Sequence, residues 1–188
     1  MASVILFHSV MGLRQVERDA AAQMRAAGHE AVTPDLYEGQ TAETIAEGFA
    51  LMGRIGWNTI CERAEKAISE LPASTVLAGL SMGAGIVAAL WPKRQATKGV
   101  LLIHALADIP DNTHPGLPLQ VHIADPDHFV HDAQMSDWRT AAKQVSLAAE
   151  LFTYPGVGHF YTDPASPDYD AKAAALTWDR ALAFLKEL

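Results

Sequence analysis

A chain of 188 residues suits one domain spanning 1–188, large enough to bury a core without disulfides, and 49% hydrophobic against 19% charged residues is the composition of a folded globular protein. Its net charge of −8 disfavours nucleic acid and anionic membrane surfaces as partners. The single cysteine, Cys61, excludes an internal disulfide and points to a reducing compartment, so a cytoplasmic location is expected.

Strand-like and helix-like segments alternate along the whole chain. Met1–His8 has no basic leader and its apolar run is too short for a signal peptide. Ser3–Phe7 reads as a buried strand of a parallel sheet. Leu13, Val16, Ala20, Met24 and Ala27 recur with a helical period that Gly28 ends. Glu30–Thr33 is a short strand cut off by Pro34, and no segment approaches the length of a membrane span. Thr59 and Glu62 have capping-box spacing for a helix burying Ile60, Ala64, Ile68 and Leu71, with Cys61 on its face. Ser74–Ala78, Gly99–His104, Leu119–Ile123 and Leu151–Tyr154 complete six strands. Ser136 is placed to cap a helix through Trp138, Ala142, Val145 and Ala149, and Asp170 to open the last helix. Such alternation predicts an α/β fold: a mostly parallel sheet with helices on both faces and no large lid. Ligands of such sheets bind beyond the carboxyl ends of the strands.

Gly79-Leu80-Ser81-Met82-Gly83 reads G-x-S-x-G, with a β-prone strand before it and a small, helix-prone run to Trp91 after it. Strand, sharp turn and helix are the setting of a nucleophile elbow. There a serine hydroxyl is presented above the sheet, and the two glycines remove Cβ atoms that would clash. Serine becomes a nucleophile only when a base takes its proton, and imidazole suits that work near neutral pH. His159 follows the last strand and is the candidate base. A carboxylate must fix its tautomer, and two compete, Asp125 and Asp127, both just after the fifth strand. The order Ser, Asp, His is that of α/β-hydrolases. The expected oxyanion donors are the backbone N–H groups of Met82 and of Val10, in the loop after the first strand, where Gly12 serves the turn. Ser9 either touches substrate or caps the next helix.

Tyr37 to Trp57, with Phe49 and Met52, either lines a pocket or forms plain helix core; Phe160 and Tyr161 are further candidates for binding substrate. The Pro-rich run from Ile109 to Pro118 is the longest loop and a candidate border of the site. His8, His104, His128 and His159 all fall near strand ends, but no helical His spacing accompanies them, so no metal is expected. His122 reads as a satisfied core residue. No dinucleotide or phosphate-loop string is present, so no cofactor is expected.

These pieces resemble the dienelactone hydrolase family of small α/β-hydrolases. The resemblance covers essentially the whole chain. It rests on Leu6–Gly12, Ala26–His29, Pro34-Asp35-Leu36-Tyr37, the elbow, Asp127-His128-Phe129 and Tyr154–His159. It implies Asp127 as the acid of the triad. Three departures stand out. Ser81 replaces the namesake enzymes' cysteine, Ser9 stands where they carry a glutamate, and Asp163 stands where they carry an arginine four residues beyond the catalytic histidine. The last argues against an anionic dienelactone. The expected activity is hydrolysis of a small ester or lactone through an acyl-enzyme. The partner is that small molecule, and a homodimer is compatible with the chain. An idle binding domain and an acyltransferase are the rival readings.

Overall fold

The computed structural model describes all residues, 1–188. Six strands form one sheet: β1 (Ser3–Phe7), β2 (Glu30–Val32), β3 (Val76–Leu80), β4 (Val100–Ile103), β5 (Pro118–Asp125) and β6 (Ala148–Pro155). Every neighbouring pair is parallel, in the order β2-β1-β3-β4-β5-β6. The order reverses at β1, because the chain builds outward to β2 and then returns to lay β3 on the other side. The loops after β1 and β3 therefore diverge, opening a crevice at their carboxyl ends.

Six helices cover the sheet: α1 (Gln15–Ala26), α2 (Ile45–Ile55), α3 (Trp57–Ser69), α4 (Met82–Leu90), α5 (Asp132–Gln144) and α6 (Ala171–Glu187). Strand periodicity divides the core between the two faces. Ile5, Phe7, Leu77, Val100, Leu102 and Val121 point to one side and pack with α3, α4 and α5. Val4, Leu6, Val76, Ala78, Leu101 and Ile103 point to the other, against α1 and α6. Both faces are covered, so β1, β3 and β4 must be apolar at every buried position. β5 differs: Gln120 and His122 lie on the α6 side yet are buried. His122 is satisfied on both nitrogens, by the Tyr154 hydroxyl at 2.8 Å and Gln120 Oε1 at 2.9 Å.

Two helix starts depart from the sequence reading. Gly56, at φ 87°, turns the chain between α2 and α3, so α3 starts at Trp57 and Thr59 lies within its first turn. The same Thr-x-x-Glu device works one helix earlier. Thr44 Oγ1 accepts the Glu47 N–H at 3.2 Å, and the Glu47 carboxylate accepts the Thr44 N–H at 3.3 Å. Ser136 lies inside α5, which starts at Asp132 because Gln134 accepts the His131 N–H at 2.8 Å. Ala149, expected in that helix, belongs to β6. Asp170 does cap α6, accepting the N–H groups of Lys172 and Ala173 at 3.0 and 2.8 Å. No helix is long and apolar enough to cross a membrane.

Candidate active site

Ser81 joins β3 to α4 with φ 51° and ψ −110°, a conformation non-glycine residues rarely adopt. The flanking glycines make it attainable. A Cβ on Gly79 would lie 2.3 Å from the Gly83 carbonyl carbon, and one on Gly83 would lie 2.3 Å from the Phe7 carbonyl oxygen. Both clashes are with backbone, so no side-chain movement relieves them. The Ser81 N–H donates to the Ile103 carbonyl at 2.8 Å, which ties the elbow to β4.

A hydrogen-bond chain runs from this serine. Ser81 Oγ lies 2.9 Å from His159 Nε2, and His159 Nδ1 lies 2.8 Å from Asp127 Oδ2. The other Asp127 oxygen accepts the N–H groups of Phe129 and Val130 at 2.7 and 3.2 Å, fixing the carboxylate's direction. Burial alone would raise the Asp127 carboxyl. The hydrogen bond and charge of His159, with the two loop amides, outweigh it and hold the carboxyl below its ordinary value. Ionised Asp127 accepts from Nδ1–H, which leaves Nε2 to accept from the serine. Asp125 is exposed at the end of β5 and engages the loop through its carbonyl, which accepts the Gly156 N–H at 2.7 Å. Geometry therefore pairs His159 with Asp127.

The loop after β1 is held by a residue the sequence reading passed over. Glu17 is fully buried on α1. Its Oε1 accepts the Ser9 N–H at 3.2 Å and the Ser9 hydroxyl at 3.0 Å, while Oε2 accepts the Arg14 N–H at 3.0 Å. One carboxylate thus clamps both ends of the loop. Ser9 is consumed by that clamp and is buried, neither facing the cleft nor capping α1. Gly12 takes φ 88°, and a Cβ there would lie 2.6 Å from the Gln40 carbonyl oxygen. The N–H groups of Val10 and Met82 make no hydrogen bond within the protein. Gly48 of α2 sits against the other side of this loop, where an added Cβ would lie 2.8 Å from the Val10 carbonyl oxygen. Glu17 carried a signal: with Ala20, Ala21 and Met24 it shares the buried stripe of α1, where an unpaired charge would not be tolerated.

The pocket candidates separate. Phe160 lines the cleft beside His159, with ring centroids 4.6 Å apart. Tyr37 lies beneath the elbow, fully buried, its hydroxyl donating to Met82 Sδ at 3.1 Å. Burial pushes its phenol up to about 12. Tyr161 is core, bonded to Thr177 Oγ1 at 2.8 Å. Trp57 is 40% exposed and rests on Gly85 of α4, away from the cleft. The Ile109–Pro118 loop borders a separate hollow with Leu106 and Trp138. Phe129, which the sequence reading did not single out for binding, lines the cleft and packs on the His159 ring with centroids 4.7 Å apart.

Four histidines were expected near strand ends; the partners of three differ, and His104 Nδ1 is buried with none. His8 Nδ1–H donates to the Ser9 carbonyl at 2.7 Å and Nε2 accepts the Leu36 N–H at 3.2 Å. His104 Nε2 meets Thr162 Oγ1 at 2.7 Å, and His128 lies at the cleft rim. Burial lowers His8 and His104, and lowers His122 to about 3, so all three are neutral near pH 7. A cleft of about 310 Å³ opens on the His159 side of the triad, with Ser81 outside its lining. Its walls mix Met11, Ile45, Phe129 and Phe160 with Arg14 and Asp163.

The family model of the dienelactone hydrolase family matches residues 1–188. The chain belongs to the dienelactone hydrolase family. It is by class a hydrolase of ester bonds with the α/β-hydrolase fold. Among solved structures it resembles a dienelactone hydrolase-like promiscuous phosphotriesterase from metagenomic libraries, at 18% identity and a TM-score of 0.76 over 100% of this chain and 87% of that one. It also resembles a Klebsiella pneumoniae protein assigned as a dienelactone hydrolase, at 16% identity and a TM-score of 0.77 over 100% and 88% of the two chains. A third, an esterase, shares 17% identity with a TM-score of 0.61 over 99% and 92%. At these identities the likeness is one of fold. No curated protein matches the sequence.

Proposed function

We propose that this member of the family is a serine hydrolase of small, short-chain carboxylic esters or lactones, working through an acyl-enzyme. The observation that carries the reading is the unbroken chain Ser81 Oγ, His159 Nε2, His159 Nδ1, Asp127 Oδ2, with links of 2.9 and 2.8 Å. As Ser81 Oγ attacks the ester carbonyl, its proton passes to His159 Nε2. Asp127 stabilises the resulting imidazolium. The carbonyl oxygen gathers negative charge, and the unpaired N–H groups of Met82 and Val10 are the donors for it, Met82 at the start of α4 where the helix dipole adds to its effect. Collapse breaks the bond to the leaving oxygen, which takes the proton from Nε2. Water then repeats the sequence on the acyl-serine, and the carboxylic acid leaves with Ser81 restored.

The serine and the family's cysteine differ in what they need. A thiol must be switched on, whereas a serine is activated within the triad itself, which is consistent with Ser9 in the loop. The cleft of about 310 Å³ beside His159 lies at the small end for ligand sites, which favours a small substrate. The half-buried thiol of Cys61 suits a cytoplasmic protein. The test is turnover of nitrophenyl acetate and palmitate together with fluorophosphonate labelling. The reading expects acetate to be preferred, free acid as product and labelling lost in Ser81→Ala. A preference for palmitate contradicts the short-chain assignment; absence of labelling indicates an idle binding domain. Transfer of the acyl group to an added alcohol, in place of free acid, identifies a transferase.

A further inference from the structure

The cleft beside His159 carries more negative than positive charge. Arg14 is its only lysine or arginine, and its guanidinium is ion-paired with Asp163. The two side chains are only 17% and 4% exposed. Asp163 is held from a second side as well, its Oδ1 accepting the Ala165 N–H at 2.9 Å. Its own N–H donates to the Phe160 carbonyl at 2.9 Å, so the acid rides on the loop that carries His159. The other charges lining the cleft are Glu43 and Asp168, both negative. Asp168 is fixed there: its Oδ2 accepts the Phe160 N–H at 3.1 Å, and it fills the space a Cβ on Gly158 would need.

A buried ion pair resists being opened, since removing one partner leaves the other charge uncompensated. A carboxylate on a substrate entering this cleft would meet an arginine whose charge Asp163 already neutralises, with Glu43 and Asp168 adding two further negative charges to the same walls. Like charges brought together in a confined cleft repel one another. An uncharged ester meets none of this and finds apolar surface on Met11, Ile45, Phe129 and Phe160.

We propose that the Arg14–Asp163 pair sets the substrate class, admitting uncharged esters and rejecting esters that carry a carboxylate, with Asp163 as the specificity-determining residue. This rests on the hydrolase reading of the same site. Asp163 works by occupying the cation that would otherwise recognise an acid.

The test compares two substrates identical at the reacting carbonyl: the nitrophenyl hydrogen ester of adipic acid and its methyl-capped, uncharged counterpart. Nitrophenolate release reads both. The wild-type protein is expected to favour the uncharged ester by at least about tenfold in kcat/KM. Asp163→Asn frees Arg14 and should shift that ratio at least about tenfold towards the acid. Adding Arg14→Gln to it should cancel the shift, which a merely structural role for Asp163 would not produce. Equal turnover of the two esters by the wild type, or preference for the acid, overturns the proposal whether or not the variant folds. An unchanged ratio in an Asp163→Asn protein that still labels with fluorophosphonate also overturns it. A wild type that shows no turnover of either ester and no labelling overturns the hydrolase reading, and this proposal with it.

Discussion

Asp127→Asn tests the assignment of the triad acid with little disturbance of shape. Oδ1, which accepts the Phe129 and Val130 N–H groups at 2.7 and 3.2 Å, survives as the amide oxygen, so the loop after β5 keeps its ties. The atom 2.8 Å from His159 Nδ1 becomes an amide nitrogen. That group donates, so Nδ1 must accept and the ring proton moves to Nε2. Nε2 is the atom 2.9 Å from Ser81 Oγ, and once protonated it cannot receive the serine proton. The wrong tautomer and the lost carboxylate charge together cost about 10⁴ in kcat in a serine triad. This is about 5.4 kcal/mol at about 1.36 kcal/mol per factor of ten. Asp127→Asn should therefore turn over nitrophenyl acetate about 10⁴-fold more slowly, with KM within a few-fold and an unfolding midpoint near that of the wild type. Asp125→Asn should stay within about threefold of the wild type, as expected of an exposed surface change. A folded Asp127→Asn protein retaining more than about a tenth of the activity, or an equal loss in Asp125→Asn, would refute the reasoning.

Other expectations follow from the same geometry. Gly83→Ala places a methyl group 2.3 Å from the Phe7 carbonyl oxygen, so β1 and the elbow must separate. Fluorophosphonate labelling should be lost and the unfolding midpoint lowered; a well-folded, fully labelled Gly83→Ala protein would contradict this. Glu17→Gln turns one arm of the loop clamp into a donor facing N–H groups of Ser9 or Arg14, and kcat should fall about tenfold with KM nearly unchanged. Acid should destabilise the fold through its neutral core histidines. The unfolded chain takes up a proton at His122 as pH falls below about 6.5, while the folded protein resists until about 3. That contribution is whole above about 6.5 and drains away as pH falls towards about 3, and His104 and His8 act in the same direction. Asp127 adds to the loss at lower pH, as its carboxylate is protonated. Urea midpoints measured from pH 7 to pH 4 should decline, and His122→Gln should flatten the slope; a midpoint that rises on acidification would refute this.

What could be read from the sequence was whatever physics confines to neighbours along the chain. Two glycines around Ser81, an apolar strand before it and a small-residue helix after it are local demands, and the elbow formed where they predicted. The strand ends carrying Asp127 and His159 were legible for the same reason. Capping was read less well because spacing alone does not say which Thr-x-x-Glu begins a helix. Gly56 decides between Thr44 and Thr59, and it does so through a left-handed turn between two helices. Side-chain destinations were least legible. Ser9, Tyr37, Trp57 and Tyr161 were candidates for binding substrate, yet three are buried against Glu17, Met82 and Thr177, and Trp57 packs on Gly85. The Arg14–Asp163 pair joins positions 149 residues apart, and no local pattern announces it.

The most direct test of the central claim is mass spectrometry of the protein quenched during turnover of nitrophenyl acetate. An acetyl adduct on the peptide containing Ser81, accumulating in Asp127→Asn or at early times in the wild type and absent from Ser81→Ala, is the predicted result. Steady nitrophenolate release with no adduct on that peptide, or with release undiminished in Ser81→Ala, would contradict an acyl-enzyme at Ser81.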